Sequence, residues 1–184
     1  MKKISFLLLL FVCFTSVSAQ DEESNNARKN DFMVDPIILI AVPALNITYE
    51  RLISRESAIG INAIIGLGSD ADNFSQFSPF YRMYFGKKFA SGFFVEGFIP
   101  ITTTNDSYYN YEVVNGNYYE KYIDEKKTTV GFGVAAGGKW VTKRNIIFEA
   151  SLGIGRRFGL NRDDGYYSGE EVVPRGMLGI GYRF

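Results

Sequence analysis

The 184-residue chain contains no histidine, one cysteine and five prolines, and its formal net charge is zero. Each shortage excludes something. Without histidine, no side chain has an ordinary pKa near neutrality, so the usual base for activating a serine or a water is missing. The lone cysteine, Cys13, lies among the first nineteen residues, which leaves nothing beyond it to form a disulfide. Stability must then come from packing and backbone pairing. Zero net charge argues against electrostatic binding to nucleic acid. The sequence also lacks a glycine-rich phosphate loop and any Cys/His metal set, so it implies no cofactor and no metal. Beyond residue 19 no apolar run approaches the roughly 20 residues that a membrane-crossing helix needs.

The amino-terminal segment is informative in itself. Lys2 and Lys3 precede an apolar stretch over 4–14, and Val17, Ser18 and Ala19 follow. This order predicts a signal peptide over 1–19, cut after Ala19, and export through the Sec pathway. The apolar stretch is too short for an anchor, and Val12 stands where a lipoprotein signal needs a small residue before Cys13. Residues 20–31 are polar and aperiodic and predict a flexible periplasmic leader. Residues 32–184 suit one domain.

Nineteen glycines, sixteen phenylalanines and twelve tyrosines point to an all-β domain. The last ten residues, RGMLGIGYRF, show its pattern most plainly. Leu178, Ile180, Tyr182 and Phe184 fall on one side of an extended strand, while Met177, Gly179, Gly181 and Arg183 fall on the other. Residues 32–41, apolar on both faces, read as a first strand that Pro43 divides from the next, and similar alternation predicts strands over 45–52, 58–68, 74–85, 92–102, 126–141 and 146–158. Pro79 cannot donate to a ladder, so a bulge is expected there. The links at 86–90 and 142–145 are short, whereas 103–125 and 161–171 are long. Short turns on one side and long loops on the other require an even strand count, which makes the link at Pro43 a very short outer loop. Charge follows the same division. Arg51, Arg55, Lys87, Lys88, Lys143 and Arg144 face only Glu56 on the short-turn side, while the long loops are acidic. The expected fold is an eight-stranded antiparallel up-and-down transmembrane β-barrel, the remaining way to span a bilayer with every backbone group paired.

The signal, the absence of later apolar helices and the aromatic terminus together resemble the small eight-stranded outer-membrane barrels of the OmpA transmembrane-domain and OmpX kind. The stretches NITYER (46–51), SPFYRMYFGKK (78–88), FFVEGF (93–98), GKWVTK (138–143) and GIGYRF (179–184) look like a family of small Gram-negative cell-envelope barrels with no settled activity. The resemblance implies an outer-membrane address and outer-membrane lipid around the wall. It further implies that Leu178, Ile180, Tyr182 and Phe184 form the signal read by the barrel assembly machinery. No peptidoglycan-binding domain is expected after the last strand.

On the face turned from lipid the pattern places Glu50, Arg82, Glu96, Lys139, Glu149 and Arg183. Eight strands leave an interior that side chains fill, and buried charges persist only when paired. A plugged, charged lumen is expected, and no catalytic residues. Two loops remain as candidates for a cell-surface ligand: 103–125, with Tyr108, Tyr109, Tyr111, Tyr118, Tyr119 and Tyr122, and 161–171, with Tyr166 and Tyr167. Tyrosine suits binding loops, and it equally suits cross-strand pairs in hairpins that rise above the headgroups. The reading is a non-enzymatic monomer with a structural or adhesive role. The alternatives are a soluble periplasmic lipid-binding barrel, whose larger apolar side chains would point inward, and a narrow channel.

Overall fold

The computed structural model describes residues 28–67, 74–114, 117–159 and 171–184. The expected signal peptide, most of the expected leader and Tyr166 and Tyr167 lie outside them. The strands are β1 (Asn30–Val34), β2 (Ala44–Leu52), β3 (Ser57–Gly66), β4 (Phe74–Tyr84), β5 (Gly92–Phe98), β6 (Ile101–Val114), β7 (Asn117–Val141), β8 (Ile146–Gly159) and β9 (Glu171–Arg183), with one helix, α1 (Pro36–Ala41). All neighbours are antiparallel. β1 pairs with both β2 and β9, so the sheet closes on itself. β5 and β6 each lie between β4 and β7 in one continuous register, and count as two halves of one stave. The fold is therefore a closed eight-stranded antiparallel barrel.

Alternation along each strand sorts side chains to two faces. On β2, Asn46, Thr48, Glu50 and Leu52 are buried, while Tyr49 and Arg51 are exposed. On β7, Gly131, Gly133, Ala135 and Lys139 face inward, whereas Phe132, Val134 and Trp140 are exposed. The barrel is thus polar within and apolar without, the reverse of a soluble barrel. β2, β3 and β4 run 9, 10 and 11 residues, the length a tilted strand needs to cross a bilayer, about 9 to 11 residues.

At one end lie the short turns and the terminal residue. Ala90 N–H donates to Arg55 O, joining two of these turns, and Arg183 N–H donates to Asn145 O in the third. Leu52 N–H donates to Lys29 O, and Phe184 and Asn30 exchange backbone bonds. Both described ends of the chain therefore meet at the basic rim, as an even count demands. Of the acidic loop residues, Asp70, Asp72, Asp163, Asp164 and Glu170 lie outside the described residues.

Several expectations need correction. The first predicted strand is half strand and half helix: β1 begins at Asn30, inside the expected leader, and stops at Val34. Asp35 then caps α1, its Oδ1 accepting from Ile37 N–H at 3.0 Å and Ile38 N–H at 3.1 Å, with Pro36 in the first turn. The β1–β2 link therefore contains a helix and is no tight loop at Pro43. There is no bulge at Pro79, since β4 keeps one register with β3 throughout. The ladder is interrupted instead on the opposite stave, at Ile99 and Pro100: Ile99 N–H still reaches Pro79 O, but Pro79 has no N–H to return. The segment predicted as the loop 103–125 is mostly strand. β6 and β7 pair continuously from Ile101↔Val130 to Val114↔Asn117, bringing Tyr109 opposite Tyr122 and Tyr111 opposite Glu120.

Candidate functional site

Seven strands send charged side chains to the lumen, because each of those positions falls on the inward phase of its strand. Arg82 of β4 is the hub. Its Nη1 donates to Glu50 Oε2 at 2.9 Å and to Glu149 Oε2 at 2.7 Å, Nη2 reaches Glu149 Oε1 at 3.0 Å, and Nε and Nη2 both reach Glu96 Oε2, at 3.0 and 2.6 Å. One guanidinium therefore bridges carboxylates from three other strands, a use of its planar fork that an ammonium does not reproduce. Lys139 sits beside it, donating to Glu50 Oε2 at 2.6 Å and Asp31 Oδ2 at 3.1 Å, with Glu149 Oε2 at 3.7 Å. Glu50 and Lys139 are 0% exposed and Arg82 is 1% exposed.

The cluster continues beyond the six residues singled out from the sequence. Arg183 grips Asp31 with two bonds, Nε to Oδ1 at 2.7 Å and Nη2 to Oδ2 at 2.9 Å, and donates to Phe89 O and Ala90 O. Arg175 lies 2.9 Å from Glu96 Oε1. Tyr84 donates its hydroxyl to Glu50. The result is a neutral chain, Arg183, Asp31, Lys139, Glu50 with Glu149, Arg82, Glu96 and Arg175, in which acids and bases balance. Sequence reasoning missed three members. Asp31 was assigned to the leader, Tyr84 was hidden among other aromatics, and Arg175 stands just past a long loop. The inward phase of β9, carried back from Arg183, was the signal that would have found Arg175.

Aromatic rings floor the cluster. The Arg82 guanidinium carbon stands 3.9 Å from the Phe94 ring centroid and 4.8 Å from that of Phe80, and the guanidinium of Arg175 stands 4.4 Å from that of Phe98. The Phe94 and Phe98 rings fit because β7 opposite them is glycine: a Cβ at Gly137 would lie 2.7 Å from Phe94 Cζ, and one at Gly133 2.7 Å from Phe98 Cε1.

Farther from the short-turn end, β2, β3, β4 and β6 bring amides and hydroxyls together in the lumen. Asn62 Nδ2 donates to Asn46 Oδ1 at 2.6 Å and to Thr48 Oγ1 at 2.9 Å; Thr102 Oγ1 donates to Gln76 Oε1 at 3.1 Å, and Gln76 Nε2 to Ser78 Oγ at 3.2 Å. Met177 packs against Thr48 at 3.5 Å.

On the outer face, Leu178, Ile180, Tyr182 and Phe184 are all exposed, in line along β9. Tyr122 is exposed too. For Tyr108, Tyr109, Tyr111, Tyr118 and Tyr119 the backbone is placed in the β6–β7 hairpin. Among the described residues there is no group of three or more His, Cys, Asp or Glu side chains that could hold a metal ion.

No family model and no curated protein match the chain. Among solved structures it is similar to the crystal structure of the N-terminal β-barrel domain of Pseudomonas aeruginosa OprF, with a TM-score of 0.45 and 12% sequence identity over 86% of this chain and 98% of that chain. The barrel assignment itself rests on the closed backbone ladder described above.

Proposed function

We propose that the protein is a small outer-membrane barrel of the OmpA and OmpX kind, with a plugged lumen and a structural or adhesive role. The observation that carries this reading is the polarity of the wall: an ion cluster inside, and outside an apolar surface that includes Phe132, Val134, Trp140, Leu152 and Ile180. Water on that outer face would be costly, and lipid removes the cost. The same polarity speaks against a soluble lipid carrier, which needs its apolar side chains inward. Charges bridged this closely favour a plug over a channel. The lack of histidine favours a non-enzymatic role, and the β6–β7 hairpin, which carries six tyrosines on paired strands, favours display of a surface for an outside partner. Outer-membrane lipid, the assembly machinery and a cell-surface ligand are the expected partners of a monomer.

Fractionation tests the address, and gel mobility tests the state. The expected result is recovery in outer membranes with a faster band before boiling than after. Recovery in the soluble periplasm, or one mobility under both conditions, rejects the membrane reading.

A further inference from the structure

The outer wall is not evenly covered. Across β2, β3, β4 and β5 two rows of outward residues follow the ladder. In the row nearer the short turns Arg51 pairs with Ile59, Ile59 with Tyr81 and Tyr81 with Gly97. One step farther from the turns Tyr49 pairs with Ile61 and Ile61 with Pro79, and Pro79 O accepts from Ile99 N–H. Gly97 is the gap in this surface: a Cβ there would meet nothing within 4 Å, although Tyr81, Val95 and Ile99 stand exposed around it. The two rows border a hollow of about 520 Å³, within the usual range of roughly 300 to 1,000 Å³ for small-ligand sites.

The two ends of the hollow differ in chemistry. Ile61, Pro79 and Ile99 line it away from the short turns, whereas Arg51 borders it on the short-turn side. Arg51 Nη1 donates to Asn30 Oδ1 at 2.8 Å, and the Tyr49 hydroxyl donates to the same oxygen at 2.9 Å. Asn30 carries no charge, and among the described residues no carboxylate pairs with Arg51. The guanidinium is thus positioned without being neutralised. Beneath the hollow, the turns that join β2 to β3 and β4 to β5 add Arg55, Lys87 and Lys88 against Glu56, and Arg55 Nη2 donates to Lys87 O, tying the two turns together. Tyr49 and Tyr81, both exposed, suit the boundary between lipid chains and headgroups. An apolar hollow ending in an uncompensated cation at that boundary is complementary to a lipid whose head is an anion.

We propose that this hollow holds one anionic glycerophospholipid of the leaflet nearest the short turns, with an acyl chain across Gly97 and the phosphate on Arg51. The occupant is a membrane lipid and not free phosphate, because all but the Arg51 end of the hollow is apolar. The proposal rests on the membrane reading and adds that one lipid beside the wall is selected by shape and charge.

The test is native mass spectrometry of the folded chain in neutral detergent, titrated with dioleoyl phosphatidylglycerol or with dioleoylglycerol, which has the same chains and no phosphate. The wild type is expected to retain one phosphatidylglycerol and to bind dioleoylglycerol about tenfold more weakly, the loss of one charge-assisted bond. Arg51→Gln should lower phosphatidylglycerol to the level of dioleoylglycerol. Lys143→Gln, on the third turn and away from the hollow, should leave it unchanged. Gly97→Leu fills the hollow and should weaken both lipids, whereas Ala150→Leu, on the outer face of β8, should weaken neither. If Gly97→Leu does not fold, as judged by gel mobility, the pair Arg51→Gln and Lys143→Gln decides alone. Equal weakening by those two would reduce the effect to general attraction by the basic rim and overturn the site. Equal binding of the two lipids by the wild type, displacement of the lipid by inorganic phosphate, or a dimer in place of the bound lipid overturns it as well. Membrane fractionation is read separately, so a failed membrane reading and a failed site give different results.

Discussion

The two halves of the lumen solve the same problem with different chemistry. Near the short turns the interior is filled by ions, each acid of the core touching more than one base. Farther along, Asn46, Asn62, Gln76 and Thr102 meet through amides and hydroxyls. Both halves satisfy buried polar atoms, but they differ in what a single deletion leaves behind. Loss of a base strands a charge, whereas loss of an amide strands a dipole. The ionic half is consequently the more brittle, and the neutral half the more tolerant of change.

The sharpest way to break this comparison is Arg82→Ala, which leaves Glu96 and Glu149 without their principal partner. It is expected to cost about 3 to 5 kcal/mol in unfolding from lipid vesicles; stability equal to the parent would show that the carboxylates are hydrated or protonated. Asn62→Ala in the neutral half should cost less, about 1 to 3 kcal/mol, the penalty of unpaired buried acceptors. The double variant should be additive within about 0.5 kcal/mol, because the two side chains share no partner. Strong coupling in that cycle would make the two halves one network. In planar bilayers the wild type should show no steady conductance, and a porin-like current would mean that the ions line a path for water. Smallest of all, Lys88→Ala on the basic rim should leave the unfolding midpoint in place, a measurement that fixes the baseline for the other three.

The parts that were legible in the sequence are those where one face differs sharply from the other. On β7 the inward run of Gly131, Gly133, Ala135 and Gly137 against Phe132, Val134 and Ala136 allows one phase only, and Lys139 follows from it. Residues 32–41 were not legible, since they are apolar on both faces and neither period dominates. There the Asp35–Pro36 pair was the available signal, a capping residue followed by a helix-opening proline. The hairpin of β6 and β7 was hidden by composition: polar and charged residues read as loop, while pairing across two long strands holds them extended. Asp31 and Arg175 joined the ion cluster only through closure, which brings together residues whose local sequence says nothing about each other.

The same closure sets an order of events. Asp31 and Arg183, 152 positions apart, cannot meet until the last strand docks against the first. Before that docking, the nascent barrel holds Asp31, Glu50, Glu96 and Glu149 with only Arg82 and Lys139 to neutralise them, and the imbalance repels the half-built wall from within. Arrival of β9 delivers Arg175 and Arg183 together. The final strand thus acts as an electrical latch: without its two arginines the cluster holds four acids and two bases, and with them the charges balance.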